Sequence, residues 1–260
     1  MRNPSKTDSS LVFQKRGVFA VHDIKKGEIL EYAPVIPLSA SEWISVSGTT
    51  LRYYCYTWGK DKGKTGVAIA LGYGSLYNCS PKPSAYPVNF PTKQTIGFYA
   101  AKNIEMGEEI TVNRPGPGSK GHFAVKTAGI AGRFGAVVEV RTTRNKGRGI
   151  FALQPIAGGE LIERAPALFI PTREWSCLQN TILDNYCFRI GPNQEHTALA
   201  MGFGSLYNHS YTPNAVYAVK DQEMIVQFNA LRDIRPGEEI TVNYNRDPRD
   251  RSPVWFDVLP

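Results

Sequence analysis

The chain has 260 residues, 42% of them hydrophobic and 20% charged. That is enough for one large domain or two of roughly 130 residues, and the balance excludes a disordered or fibrous chain. No run approaches the roughly 18 apolar residues of a spanning helix. The polar opening Met1-Arg-Asn-Pro-Ser5 also argues against a signal peptide. The expectation is a soluble intracellular protein, cytoplasmic or nuclear, with no membrane partner. The net charge of +7 lies wholly in the first half. Residues 1–130 carry 16 basic side chains against 9 acidic, whereas residues 131–260 carry 14 of each. Two readings stay open for this surplus: a solvated face, or a docking surface for nucleic acid or an acidic protein.

Along the chain, the dominant signal is an internal repeat. Arg16-Gly-Val-Phe-Ala20 returns as Arg148-Gly-Ile-Phe-Ala152, an offset of 132. Ala33-Pro34 returns as Ala165-Pro166, Glu42-Trp43 as Glu174-Trp175, and Tyr54-Cys55-Tyr56 as Tyr186-Cys187-Phe188. After a two-residue indel the offset is 130: Gly72-Tyr-Gly-Ser-Leu-Tyr-Asn-Cys-Ser80 matches Gly202-Phe-Gly-Ser-Leu-Tyr-Asn-His-Ser210, and Gly107–Asn113 matches Gly237–Asn243. The boundaries expected are 1–113 for the first copy, 114–134 for a Pro/Gly-punctuated linker, and 135–260 for the second copy.

Each copy reads as short strands, β-dominated (all-β or α+β). In copy two these are Ala136–Thr142, Glu160–Glu163, Ala167–Ile170, Ala215–Val219, Met224–Phe228 and Glu239–Asn243. The best helix is Thr172–Leu178, with Thr172 as its N-cap. The cysteines Cys55, Cys79, Cys177 and Cys187 form no C-x-x-C pair, so no metal site is expected and buried free thiols are the favoured reading.

Candidate chemistry concentrates in copy two. Lys146-Gly-Arg-Gly149 opens a strand with glycines that permit close backbone approach, although a plain glycine turn reads equally well. Asn208-His209-Ser210, followed by Pro213-Asn214, offers directional donors and acceptors; a hydrogen-bonded turn is the competing reading for His209. Tyr244 ends a strand, where its hydroxyl faces either a cleft or a half-buried packing site.

Taken together and in order, Gly-x-Gly, N-H-S-x-x-P-N and G-E-E-I-T-V-N-Y resemble the SET-domain lysine methyltransferases over about residues 136–245. The stretch Ala198–Asn214 looks most like the small SET proteins of chlorella viruses, and residues 12–113 carry the pattern more weakly. The resemblance implies two tandem β-clip domains. In each, the Asn-His segment and the strand before the tyrosine cross in a knot-like way. It also implies methyl transfer from S-adenosyl-L-methionine to a protein lysine, a histone tail being one candidate substrate. By matched position, the cofactor would be held by Lys146, Gly147, Arg148, Gly149, Asn208 and His209. Tyr244 would be the catalytic tyrosine, also touching cofactor. Tyr186 and Tyr217 would line the lysine channel, with Tyr217 at a position that restricts the product to mono- or dimethyllysine. No cysteine follows Tyr244, so the zinc-binding tail of many members is missing; Trp255 or Phe256 would stack over the adenine or simply pack the C-terminus.

Copy one exchanges His209 for Cys79, Asn214 for Ser84 and Tyr244 for Arg114, so it is expected to be non-catalytic. The virus SET proteins look like homodimers, so the resemblance implies that copy one pairs with copy two as an intramolecular pseudo-dimer, giving a monomer with internal pseudo-twofold symmetry. The alternative to an enzyme is a β-fold binding module that contacts nucleic acid or an acidic protein through the basic half.

Overall fold

The computed structural model describes residues 17–61, 64–114, 137–190 and 196–258. The expected linker lies outside these residues apart from Arg114, which is buried in copy one.

Copy one contains strands β1 (Val18–Phe19), β2 (Ile29–Leu38), β3 (Cys55–Asp61), β4 (Lys64–Ala70), β5 (Asn78–Cys79), β6 (Ala85–Phe90), β7 (Thr95–Ala100) and β8 (Glu109–Val112), with helix α1 (Ala40–Val46) after β2. Copy two repeats the order, preceded by β9 (Val138–Thr142), whose equivalent positions in copy one lie outside the described residues: β10 (Arg148–Ala152), β11 (Leu161–Ile170), α2 (Trp175–Leu178), β12 (Cys187–Ile190), β13 (His196–Ala200), β14 (Asn208–His209), β15 (Ala215–Lys220), β16 (Ile225–Ala230) and β17 (Glu239–Val242). The β-dominated tandem architecture expected from the sequence is the one observed. Copy two forms a sheet ordered β14-β17-β10-β9 and another ordered β12-β13-β11-β16-β15. In copy one the corresponding strands join into a single sheet, because Ala85 of β6 also pairs with Val112 of β8.

Three expectations change. Glu160–Glu163 and Ala167–Ile170 are parts of one strand, β11, interrupted in pairing rather than in course. Residues Leu161–Pro166 pair with β16, and Ala167–Ile170 pair with β13. Pro166, which has no N–H to give a ladder, sits where the strand changes partner; Pro34 does the same in β2. The helix at Thr172–Leu178 divides into a 3-10 turn, Thr172–Glu174, and the short α2, and Thr172 is not its cap. In copy one, Ser39 and Glu42 form a reciprocal capping box, the arrangement that satisfies two orphan amides at a helix start. Pro171 stands at the position of Ser39 and carries no acceptor, so the helix start in copy two tightens to 3-10. The cysteines are free thiols, but only Cys55 is buried; the other three are half-buried.

The copies face one another across reciprocal contacts. Ile182 N–H donates to Glu42 Oε1 at 2.6 Å, and Thr50 N–H donates to Glu174 Oε2 at 2.7 Å. Each pair is the other one with the copies exchanged. At the centre Gly72 and Gly202 exchange backbone hydrogen bonds, N to O 3.2 and 3.4 Å. Both glycines have positive φ, +70° and +67°, which favours glycine. One apolar cluster crosses this junction, joining Ile36, Leu51, Ile69 and Leu71 to Leu168, Leu183, Leu199 and Met201. A second cluster lies within copy one, around Val35, Ile96, Phe98 and Val112.

Candidate functional site

The site in copy two is assembled where β14 runs parallel to β17, with Asn208 opposite Thr241 and His209 opposite Val242. This is the crossing that the knot-like expectation requires. Asn214 secures it: its Oδ1 accepts Thr241 N–H at 2.8 Å and its Nδ2 donates to Glu239 O at 2.8 Å. Fully buried, Asn214 thus belongs to the frame of the crossing. Copy one keeps the same frame with a different residue. Ser84 Oγ accepts Thr111 N–H at 2.9 Å and donates to Glu109 O at 3.3 Å. The Asn214-to-Ser84 exchange is therefore conservative in hydrogen bonding.

His209 is buried (4% exposed). Its Nδ1 accepts the backbone N–H of Tyr244 at 3.1 Å. An amide N–H only donates, so Nδ1 carries the lone pair and the proton of the neutral ring sits on Nε2. Burial first, then the Lys146 ammonium, hold the ring's pKa below its usual value. The protonated Nε2 is buried without a protein acceptor among the described residues. Aromatic rings surround it: Tyr211 edge-on at 4.6 Å, Tyr244 at 5.2 Å and Phe256 at 6.0 Å.

The glycine-bearing turn lies against the same crossing. Thr143 N–H donates to Gly147 O at 2.7 Å, and Thr143 Oγ1 accepts Lys146 N–H at 2.8 Å. Gly147 has φ +71°, so this tight turn suits glycine. Asn208 Nδ2 donates to Arg148 O at 3.1 Å and to Glu239 Oε1 at 2.7 Å. Its amide protons are thereby committed, and Oδ1 is the acceptor it can present to a ligand. A side chain at Gly149 would press on Glu239 Oε1 and Asn208 Nδ2, at 2.5 and 2.8 Å from a Cβ. Arg148 Nη1 is a further buried donor with no partner among the described residues.

Tyr244 closes the site. Its hydroxyl donates to Tyr207 O at 2.9 Å, and its carbonyl accepts Tyr217 OH at 3.3 Å. Burial, followed by the neighbouring Tyr186 and Tyr217 phenols, pushes the Tyr244 phenol well above its ordinary pKa, so it stays neutral. Burial likewise pushes Tyr217 up to about 12. Behind them Tyr207 OH donates to Glu163 Oε2 at 3.2 Å. Burial raises the Glu163 pKa to about 8.

The C-terminal tail folds back onto this site. Asn243 Nδ2 donates to Asp250 O at 2.7 Å, Asn245 Nδ2 to Ser252 O at 2.7 Å, and Tyr211 OH to Ser252 O at 3.1 Å. Trp255 then stacks on Tyr244, ring centroids 5.8 Å apart and planes 21° apart. Its indole N–H reaches Asn185 Oδ1 at 3.3 Å. Trp255 is 66% exposed, so the face turned from Tyr244 remains open. All the residues singled out in copy two, from Lys146–Gly149 to Trp255, come together around Asn208, His209 and Tyr244. Tyr211 was missed; its only signal was an aromatic directly after Asn-His-Ser.

The matching place in copy one is filled. Arg114, at the position of Tyr244, is 7% exposed. Its guanidinium donates to the carbonyls of Tyr53, Ser75 (3.1 Å) and Tyr77 (2.8 Å) and lies over the Tyr56 ring at 4.7 Å. Tyr77 corresponds to Tyr207, so the arginine takes over the bond of the Tyr244 hydroxyl and adds two more. A further difference escaped the sequence reading: Pro87 stands at the position of Tyr217. The Asn78–Glu109 bond survives at 2.6 Å.

Comparison with known proteins gives the family. The SET domain family model matches residues 15–113 and again 147–245. A Schizosaccharomyces pombe histone-lysine N-methyltransferase, H3 lysine-37 specific, is 31% identical over 121 residues, which are 46% of this chain and 77% of the relative. A Candida albicans H3 lysine-4 specific histone-lysine N-methyltransferase is 34% identical over 105 residues, 37% of this chain but only 10% of that protein. A solved humanized mutant of the Chaetomium thermophilum Polycomb Repressive Complex 2 shares 23% identity at a TM-score of 0.35, over 42% of this chain and 14% of that one. With both repeats matched, the chain belongs to the SET domain family.

Proposed function

We propose that copy two transfers a methyl group from S-adenosylmethionine to a lysine side chain of a protein, a histone tail being the first candidate. The observation that carries this reading is the His209–Tyr244 junction. One imidazole nitrogen fixes the backbone that presents the tyrosine, while the other is an orphaned buried donor at the same crossing. The residues fit the cofactor. Gly149 leaves a cradle that a side chain would fill, Asn208 Oδ1 is an acceptor for an ammonium, and Lys146 places a cation where a carboxylate would settle. The open face of Trp255 suits a flat purine. When bound, this cofactor supplies an electrophilic methyl group on a sulfonium.

The protein's own part is orientation and electrostatics. A lysine amine, with a reference pKa of about 10.4, must reach the site deprotonated. A channel walled by Tyr186, Tyr217 and Tyr244 lowers that pKa by desolvation. The Tyr244 phenol, held neutral by burial, orients the amine without adding charge. The lysine ammonium would first lose one proton to solvent, and Tyr244 would then orient the free amine. The amine lone pair would take the methyl, and the carbon–sulfur electron pair would stay with the cofactor. Tyr217, hydrogen-bonded to the Tyr244 carbonyl, narrows the channel, so mono- and dimethyllysine are the expected products. Copy one is proposed to be silent, because Arg114 already occupies its channel carbonyls. The working division remains 1–113, 114–134 and 135–260, with Arg114 packed into the first copy, and a histone substrate would place the activity in the nucleus.

The test is incubation of the full chain with labelled S-adenosylmethionine and histones, followed by mass spectrometry of modified lysines. Tyr244→Phe should lower turnover by about a hundredfold or more, as loss of one oriented hydroxyl in a dry site does. Unchanged turnover in that variant, or no lysine labelling by the full chain, would overturn the assignment.

A further inference from the structure

The two copies differ most in character on the outer face of the sheet formed by β2, β7 and β6. Alternation along these strands brings Tyr32, Tyr99, Tyr86, Val88 and Phe90 to one face around Gly97. Tyr32 is 59% exposed and Tyr86 45% exposed. Tyr86 stacks with Tyr99 at 5.7 Å, Tyr32 meets Phe90 edge-on at 5.9 Å, and the Tyr32 and Tyr99 hydroxyls are 3.4 Å apart. In copy two the same register positions hold Arg164, Asn229, Val216, Ala218 and Lys220 around Gln227. Copy two shows that this fold does not need aromatic rings there. Covering Gly97 accounts for the half-buried Phe90 and Tyr99, but Tyr32 and Tyr86 stay exposed.

We propose that this face binds single-stranded nucleic acid, with bases stacked on Tyr32, Tyr86, Phe90 and Tyr99 and phosphates held by Lys82 and Lys93. Two flanking lysines support this occupant, whereas copy one as a whole is close to neutral, with 9 basic and 8 acidic side chains among its described residues. Lys82 and Lys93 are exposed just before and just after β6, and neither forms an ion pair among the described residues. The neighbouring carboxylate Glu31 points inward, where it accepts Tyr73 N–H at 3.0 Å. Aromatic rings flanked by unpaired cations are the combination that holds single strands. Adjacent strands lie about 4.8 Å apart, so rings on three of them span room for roughly two or three stacked bases. The same rings do not form an ammonium cage. They close down on Gly97, where a Cβ would meet Phe90, Tyr99 and Tyr32 at 2.9, 3.0 and 3.2 Å, and the flanking lysines would repel a cation. What remains is a platform for flat, anionic ligands.

The test uses the full chain, without S-adenosylmethionine, so its outcome is independent of methyl transfer. Fluorescence anisotropy with labelled RNA and DNA single strands of about 12 nucleotides is followed at roughly 50 and 200 mM salt. Tyr86→Val and Tyr99→Asn install the residues that copy two carries, so the fold is expected to stand, and unchanged melting checks it. Each should weaken binding by roughly 5- to 100-fold. Lys82→Gln combined with Lys93→Gln should flatten the salt dependence. Absence of binding at low salt, or binding indifferent to both aromatic variants, would overturn the proposal. So would binding of a trimethyllysine peptide that is lost in those variants while the nucleic acids stay unbound.

Discussion

The backbone N–H of Tyr244 is held by His209 Nδ1 at 3.1 Å, so the position of the proposed catalytic tyrosine depends on the protonation state of a proposed cofactor-binding residue. The folded-state pKa of His209 is depressed. Its contribution to stability is therefore present above the unfolded value of about 6.5 and lost as pH falls through the lower folded value. Cofactor affinity and transfer should decline together on acidification, before global unfolding. His209→Ala should abolish that acid limb and lower cofactor affinity at pH 7 by tenfold or more, a change of about 1.4 kcal/mol. Calorimetric titration across pH decides this; an unchanged affinity profile in the variant would count against the junction.

Arg114 ties down three carbonyls in copy one. Arg114→Leu should destabilise the chain by roughly 2–4 kcal/mol, since buried carbonyls left unpaired cost about 1–3 kcal/mol each and partly rehydrate. Arg114→Tyr should be milder, because a phenol can still reach Tyr77 O. In a Tyr244→Phe background it should restore no transfer, as Cys79 and Pro87 remain. Denaturant unfolding and single-turnover labelling read the two effects separately.

Glu42 and Glu174 clasp the copies together. Glu42→Ala and Glu174→Ala should each cost about 1–3 kcal/mol by stranding a partner amide, and the two losses should add, since they act at separate positions. Light scattering should show a monomer. Residues 131–260 expressed alone should be insoluble or inactive; a soluble, fully active fragment would refute the clasp's importance.

The buried carboxyls Glu163 and Glu31 have pKa values raised to about 8 and about 7. Their folded forms prefer the proton, so the folded state binds more protons than the unfolded chain, whose carboxyls titrate near 4.3. The contribution of these two carboxyls should thus be greatest below that pH and be lost as pH rises to about 8, against the opposite trend of His209 and Glu238 at acid pH. Glu163→Gln should remove the upper part of this slope and raise the melting temperature at pH 9 relative to the parent. Thermal melts at pH 5, 7 and 9 test the sign; a parent more stable at pH 9 than at pH 5 would contradict it.

The repeat made much of the architecture legible. Equal offsets placed Glu42 with Glu174 and Asn78 with Asn208, while the pairing of the copies was expected from the resemblance to the virus SET proteins. The clasp partners were not legible, because Ile182 and Thr50 contribute backbone amides that no side-chain letter encodes. Asn214 looked like part of the chemistry because it lies in a polar run, yet it bonds the crossing strands, and Ser84 does the same with a shorter side chain. Pro87 was missed because it lies between the runs of matched letters, although the same offset of 130 relates it to Tyr217. The tail was readable only as two aromatics; that Trp255 reaches Tyr244 depends on Asn243, Asn245 and Tyr211 turning the chain back.

The Gly72–Gly202 contact has a consequence for how such a molecule can change. In a dimer of identical chains, every substitution is made twice, once on each side of the axis, and a change that fills one channel fills both. Here the two sides of the axis are separate stretches of one gene product. Arg114 could enter one half, and tyrosines could spread over its outer sheet, while His209 and Tyr244 stayed in the other. Joining the halves end to end released each from copying the other.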